Sequence, residues 1–235
     1  VGATSTPTML HELHVDTRSA ARDLIRRGWA VVSVKPGTKQ TTGEGWEKLR
    51  MTQDQVNQHF ALEDNIGVLL GEASGGLIDI DLDCAEAVGL APAFLPATPM
   101  RSGRRSRPCS HRWYVVDDPS PNRTFKDVDP DKTTLLELRS SGRQTLVHPS
   151  THPDDELYVW HGPLEPKRLR GQELDRAAHR LAAATLLARH WPRRPSSRHD
   201  IANSLAGMLL RGGWPEDDVV NFVHQIAKFV GEEGA

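Results

Sequence analysis

Apolar positions recur at two periods along the chain, and each switch of period marks an element. At residues 16–28, Ala20, Ala21, Leu24 and Ile25 form a stripe at helical spacing; Asp16 or Thr17 can cap its start and Gly28 stops it. Residues 29–34 are rich in β-branched side chains and predict a strand. A polar, glycine-bearing loop follows at 36–45, and 52–60 predicts a short helix capped by Thr52. Apolar runs at 65–70 and 77–82 predict two strands, joined at 71–76 by a glycine-rich connection of hairpin type. Next come a weak helix at 86–94, an Arg/Ser/Pro loop at 101–110, and strands at 111–116, 133–139, 144–147 and 157–160. Strands and helices intermingle without the regular beat of βαβ units, which predicts an α+β domain ending near residue 166.

Beyond that point the pattern turns helical. Residues 174–190 are rich in Ala, Leu and Arg, and 191–197 carry two prolines and two serines and predict a linker. The helix at 197–210 opens with Ser197 and Asp200 at capping-box spacing and stops at Gly212 and Gly213. Pro215, followed by Glu216, Asp217 and Asp218, suits the first turn of a last helix running to about 230. The expected division is a flexible lead-in at 1–10, an α+β domain at 11–166 and a helical region at 171–235 belonging to a larger bundle.

Composition mainly excludes. Of 235 residues 37% are hydrophobic, enough for a core, but no run reaches membrane-spanning length and the first residues lack the basic start and apolar stretch of a secretory signal. Two cysteines, Cys84 and Cys109, are too few for a disulfide framework or a cysteine-rich zinc site, which predicts a reduced, cytoplasmic protein. The formal charge of −2 favours no class of partner, but its distribution is uneven. Arginines gather at 101, 104, 105, 107 and 112 and again at 167–198; acids gather at 79–83 and in the last helix. Such segregation predicts a site that uses both signs.

The sharpest candidate chemistry is the strand carrying Asp79, Asp81 and Asp83 between Ile78, Ile80 and Leu82. Alternation sends the acids to one face, with neighbouring backbones roughly 6.6 Å apart. Such carboxylates repel, and two divalent cations, Mg²⁺ or Mn²⁺ by their preference for hard oxygen, would relieve them. A merely solvated acidic face is the alternative. Glu137 is a lone acid in an apolar strand, either a third ligand or a surface partner of Arg139. His111 and Ser110 open a strand after the arginine-rich loop, where they can bond phosphate oxygens or simply pack. The pairs His11 with His14 and His148 with His152 have ligand-like spacing, but nothing completes a zinc site and none is expected. Pro36-Gly37-Thr38-Lys39 lacks Walker spacing, and neither GxGxxG nor GxSxG occurs.

Taken in order, the DxD strand, Ser-His at a strand start and an acid in an apolar strand resemble the primase-polymerase (Prim-Pol) family of the archaeo-eukaryotic primase superfamily, of phage and plasmid replication proteins. The matching stretches are Arg27-Gly28-Trp29, Pro36-Gly37-Thr38-Lys39, Asn65-Ile66-Gly67-Val68, residues 74–83, Ser110-His111 and residues 136–152. The family's middle motif is Ser-x-His; here Cys109 stands two before His111. The resemblance implies an RRM-like catalytic core with an associated α/β module, followed by a small helical region, and no zinc-binding stem. It implies Asp79, Asp81 and Glu137 as metal ligands and Ser110 and His111 at the incoming triphosphate.

The function so implied is DNA-dependent primer synthesis and extension by two-metal nucleotidyl transfer. Its partners would be a single-stranded DNA template, nucleoside triphosphates, and a helicase elsewhere in the full-length chain or separate. Arg104 and Arg139 are candidates for nucleotide contacts; Lys39, Arg107, Arg176, Arg180, Arg193 and Arg194 for DNA. A metal-dependent nuclease on the same acids and a non-catalytic replication-origin binder are the rivals.

Overall fold

The computed structural model describes residues 16–118, 120–192 and 195–232. The lead-in at 1–10, the pair His11 and His14, and Arg193 and Arg194 lie outside them. In chain order the elements are α1 (Thr17–Arg26), β1 (Val31–Val34), α2 (Val56–His59), β2 (Asn65–Leu69), β3 (Leu77–Leu82), α3 (Ala85–Phe94), β4 (Arg101–Arg104), β5 (Arg107–Val116), β6 (Arg123–Lys126), β7 (Thr134–Arg139), β8 (Gln144–Val147), β9 (Val159–Trp160), β10 (Lys167–Leu169), α4 (Gly171–Arg189), α5 (Pro195–Arg211) and α6 (Glu216–Glu232). The mixture of helices with antiparallel sheets is α+β. Asp16 caps α1, its carboxylate accepting from the amides of Arg18 and Ser19, as its place before the apolar stripe predicts. Among the described residues no helix is long and apolar enough to cross a membrane.

Two sheets carry the site. The larger runs β6-β7-β3-β5-β4-β9, with β10 added parallel to the far half of the long β5; the smaller runs β1-β2-β8. In β3 the alternation holds. Ile78, Ile80 and Leu82 join Tyr114, Leu136 and Leu138 in one core, against Leu90 of α3, Leu174, Leu181 and Ala184 of α4 and Phe222 and Ile226 of α6. Leu77 joins Trp113 and Val115 in a second core facing α1 and β2. The helical residues after 171 thus share a hydrophobic core with the central strands.

Two expectations are corrected, and two strands escape the sequence pattern. The strands at 65–70 and 77–82 do not form a hairpin: β2 belongs to the smaller sheet and β3 to the larger, and the segment between makes a 3₁₀ turn at Glu72–Ser74. It crosses so close to β5 that a Cβ on Gly76 would lie 2.1 Å from the Val116 carbonyl oxygen. The 101–110 segment is a hairpin of β4 and β5, not a loop; its charged residues hide the alternation because the buried positions of β4 are Ser102, which accepts from the Trp113 indole at 2.9 Å, and Gly103. Edge strands β6 and β10, one largely exposed and the other three residues long, carry too little apolar pattern to be seen.

The β4–β5 register shifts between Ser102 and Arg104, and Cys109 there adopts a positive φ of 56°. Gly103 permits this, since a Cβ would sit 2.4 Å from the Arg107 carbonyl oxygen and 2.8 Å from the Cys109 nitrogen, both backbone. Gly103→Ala is therefore expected to destabilise the fold by about 1–3 kcal/mol. Denaturant melts of the two proteins measure it; an unchanged midpoint would show that the bulge tolerates a side chain.

Candidate active site

Strand register decides what meets at the site. β3 lies between β5 and β7, and the pairings set Asp81 between His111 and Glu137, and Asp79 between Trp113 and Arg139. Such cross-strand partners have Cβ atoms ~4.5–5.5 Å apart. Because Ile78, Ile80 and Leu82 face the helices, Asp79, Asp81, His111, Glu137 and Arg139 share the opposite face. A one-residue slip of β3 would drive its acids into the helical core, so burial of the isoleucines enforces the arrangement.

Asp79 is fully buried. Its Oδ2 accepts from His111 Nδ1 at 2.9 Å and from the Thr145 hydroxyl of β8 at 2.7 Å. Its Oδ1 is buried with no partner. Asp81 Oδ1 lies 3.5 Å from the same His111 nitrogen. Asp79, Asp81 and His111 offer ligand atoms all within 4.8 Å of one another. Two convergent carboxylates, one with an unpartnered buried oxygen, fit a divalent cation, since an ionised oxygen so placed is costly until a charge compensates it. Burial opposes protonation of His111, but Asp79 and Asp81 outweigh it and lift the pKa to about 9, so without metal the ring is a cation at neutral pH.

Glu137 stands outside that close group but lines the same cavity, and its Oε1 accepts from the Thr124 hydroxyl at 2.9 Å. Asp83 lines it too. Burial, then repulsion from Asp81 and Glu137, raises the Asp83 pKa to about 6, so these carboxylates share one field.

The cavity holds about 260 Å³ and brings Lys39, Arg104, Arg107, Ser110, His111 and Arg139 round Asp81 and Glu137. Its cations are not equally available. Arg104 is clasped by Asp154 at 2.8 Å and Glu156 at 3.1 Å. Arg107 is more open, 3.8 Å from Asp83. Arg139 lies within 3.3 Å of Asp81. Arg176 and Arg180 lie on α4 and line no part of this cavity; Arg176 is exposed, whereas Arg180 pairs with Asp218 and lies over the Trp214 ring, 4.8 Å from its centroid.

Several lining residues were not among the candidates for this site. Thr145 and Gln144 arrive from the smaller sheet, and Tyr158 and His152 from the segment after it. The His152 and Tyr158 rings meet edge to face at 5.9 Å, and Tyr158 lies 6.2 Å from His111. His148 turns elsewhere, its Nδ1 3.1 Å from the Tyr158 carbonyl, so the His148–His152 spacing builds no shared ligand set.

Residues 21–172 match the family model Prim-Pol, bifunctional DNA primase/polymerase, N-terminal. No curated protein matches the chain.

Proposed function

Since the chain belongs to the Prim-Pol family, the bifunctional DNA primase/polymerases, we propose that it is a nucleotidyltransferase that starts primers on single-stranded DNA and extends them. The observation that carries this reading is the convergence of Asp79, Asp81 and His111 beside a cavity ringed by cations. Asp79, Asp81 and Glu137 would hold two divalent ions, Mg²⁺ or Mn²⁺. When bound, these neutralise phosphate charge and lower the pKa of the attacking 3′-hydroxyl.

The remaining work falls to the chain. His111, oriented through Nδ1 by Asp79, leaves its other ring nitrogen for a triphosphate oxygen. Ser110 and Arg139, from the same cavity wall, would hold the triphosphate, with Arg104 once its acid partners release it. Fixing the α-phosphate in line with the primer hydroxyl is most of what phosphoryl transfer asks of a protein. Lys39 and Arg107 of the cavity lining and Arg176 and Arg180 of α4, together with Arg193 and Arg194, would hold template phosphates. A helicase would supply the single strand.

The test is incubation with single-stranded DNA, labelled nucleotides and Mg²⁺ or Mn²⁺, with and without a primer. Labelled products in both arms support the reading. Hydrolysis of DNA without nucleotides, or metal-independent DNA binding with no incorporation, would replace it.

His111→Ala is expected to lose about 1.5–3 kcal/mol of charge-assisted contact to phosphate, roughly 10- to 150-fold in kcat/KM for the nucleotide. DNA binding should persist, as measured by fluorescence anisotropy on a labelled strand. Unchanged KM and kcat would leave His111 as only a partner for Asp79.

A further inference from the structure

The Arg139 guanidinium touches every carboxylate assigned to metal. Its Nη1 lies 3.3 Å from Asp81 Oδ2 and 4.0 Å from Asp79 Oδ2, and its Nε 3.8 Å from Glu137 Oε2. It is aimed there from behind, because its Nη2 donates to the Gln144 carbonyl of β8 at 2.6 Å. That bond ties the end of β7 to the start of the smaller sheet. Arg139 therefore occupies the region where the charge of a divalent ion would have to go. His111, whose ring also meets Asp79 and Asp81, is held to Asp79 through Nδ1. Arg107, a further cation of the cavity, lies 3.8 Å from Asp83.

We propose that Arg139 is the resident counter-cation of the acid cluster, competing with divalent metal in the nucleotide-free protein and passing to the triphosphate when nucleotide enters, so that metal loading waits on nucleotide. The inference rests on the metal and nucleotide roles proposed above. The physical reason is that like charges cannot share one set of carboxylates: an ion and a guanidinium at the same oxygens each weaken the other. A triphosphate removes the conflict, because it offers a planar guanidinium two oxygens at once. Metal and nucleotide then favour each other's binding by the same factor, as linkage requires. The resting protein keeps its acids neutralised without sequestering metal, and the cluster becomes a full metal site only when a substrate is present.

The test measures Mn²⁺ binding directly, from the electron paramagnetic resonance signal of free Mn²⁺, with and without a non-hydrolysable deoxynucleoside triphosphate and with no DNA. Wild type is compared with Arg139→Gln, Arg107→Gln and Asp81→Asn, each checked by circular dichroism. Arg139→Gln is expected to bind Mn²⁺ about tenfold tighter without nucleotide, within the range usual for coupled ligands, and to show correspondingly less gain when nucleotide is added. Arg107→Gln removes an equal charge from the same cavity and should change affinity far less.

Equal tightening by both arginine variants would reduce the effect to the general field of the cavity and overturn the proposal. So would an Arg139→Gln affinity at or below wild type. If Arg139→Gln does not fold, Arg139→Lys serves: an ammonium cannot span three carboxylates, so tighter nucleotide-free binding is again expected, and unchanged binding overturns the idea. Asp81→Asn separates the two levels. Loss of Mn²⁺ there, with no effect at Arg139, rejects the inference and keeps the metal site; Mn²⁺ binding unaffected by Asp81→Asn rejects both.

Discussion

Asp81→Asn is expected to abolish nucleotide incorporation, by on the order of a thousandfold or more, while the protein stays folded. A thousandfold is roughly 4 kcal/mol of transition-state stabilisation, the scale of a lost metal ligand. Stability should hold or rise, because Asp81 is one of several carboxylates in one field; its loss relieves the repulsion that raises Asp83. Glu137→Gln is expected to behave likewise. Asp79 differs, being wholly buried with its Oδ2 accepting from both His111 and Thr145. Asp79→Ala would strand a buried imidazolium and a hydroxyl, a change that costs about 3–5 kcal/mol when one partner of a buried ion pair is removed. Primer-extension rates beside thermal melts separate these cases. Near wild-type extension by folded Asp81→Asn protein would remove the carboxylates from the metal role.

The second large effect concerns where the chain can be cut. Ending it at residue 166 removes Leu174, Ala178, Leu181 and Ala184, all with no exposed surface, from the core they share with Ile80, Leu136 and Leu138. A buried leucine is worth about 1.5–3 kcal/mol, and the loss of a whole helix with its neighbours exceeds a typical net stability of about 5–15 kcal/mol. That fragment is expected to lack a cooperative melt. Ending the chain at 192 keeps α4 and removes only α5 and α6. The shorter protein should fold with a lower Tm, extend a primer, and start one poorly. Initiation must hold two nucleotides and a template with no duplex to help, so it depends most on added binding surface. DNA binding should also show a shallower salt dependence if template phosphate contacts go with the helices. Equal loss of initiation and extension in the 192 protein would assign the helices to stability alone.

The side-chain alternation of β3 and β7 is local, so Asp79 and Asp81 could be set on one face of their own strand, and Glu137 away from Leu136 and Leu138 in its own, from the residues alone. Their neighbours could not. That His111 stands beside Asp81, or that Arg139 reaches Asp79 and Asp81, follows from which strands pair and in what register, over separations of 30 to 60 residues. Thr145 and Tyr158 enter from outside the larger sheet, and no pattern in their own segments announces it. The β4 strand at 101–104 was masked by the arginines at its two ends, while its buried positions are a serine and a glycine. The change of composition near 171 is real, but the apolar stripe of α4 is complementary to the isoleucines of β3 and the leucines of β7, a relation visible only in three dimensions.

The central place of β3 also sets how the site fails. Its amides are bonded to β5 on one side and to β7 on the other, whereas β6 and β9 sit at the sheet margins. Hydrogen exchange at a doubly paired, fully covered strand proceeds only through global opening, while marginal strands exchange by local fraying. Residues 78–81 should then be among the slowest amides in the protein and 123–126 among the fastest in the sheet. The acids are carried by the last part of the molecule to open, so on heating the capacity to bind metal should be lost with the fold and not ahead of it.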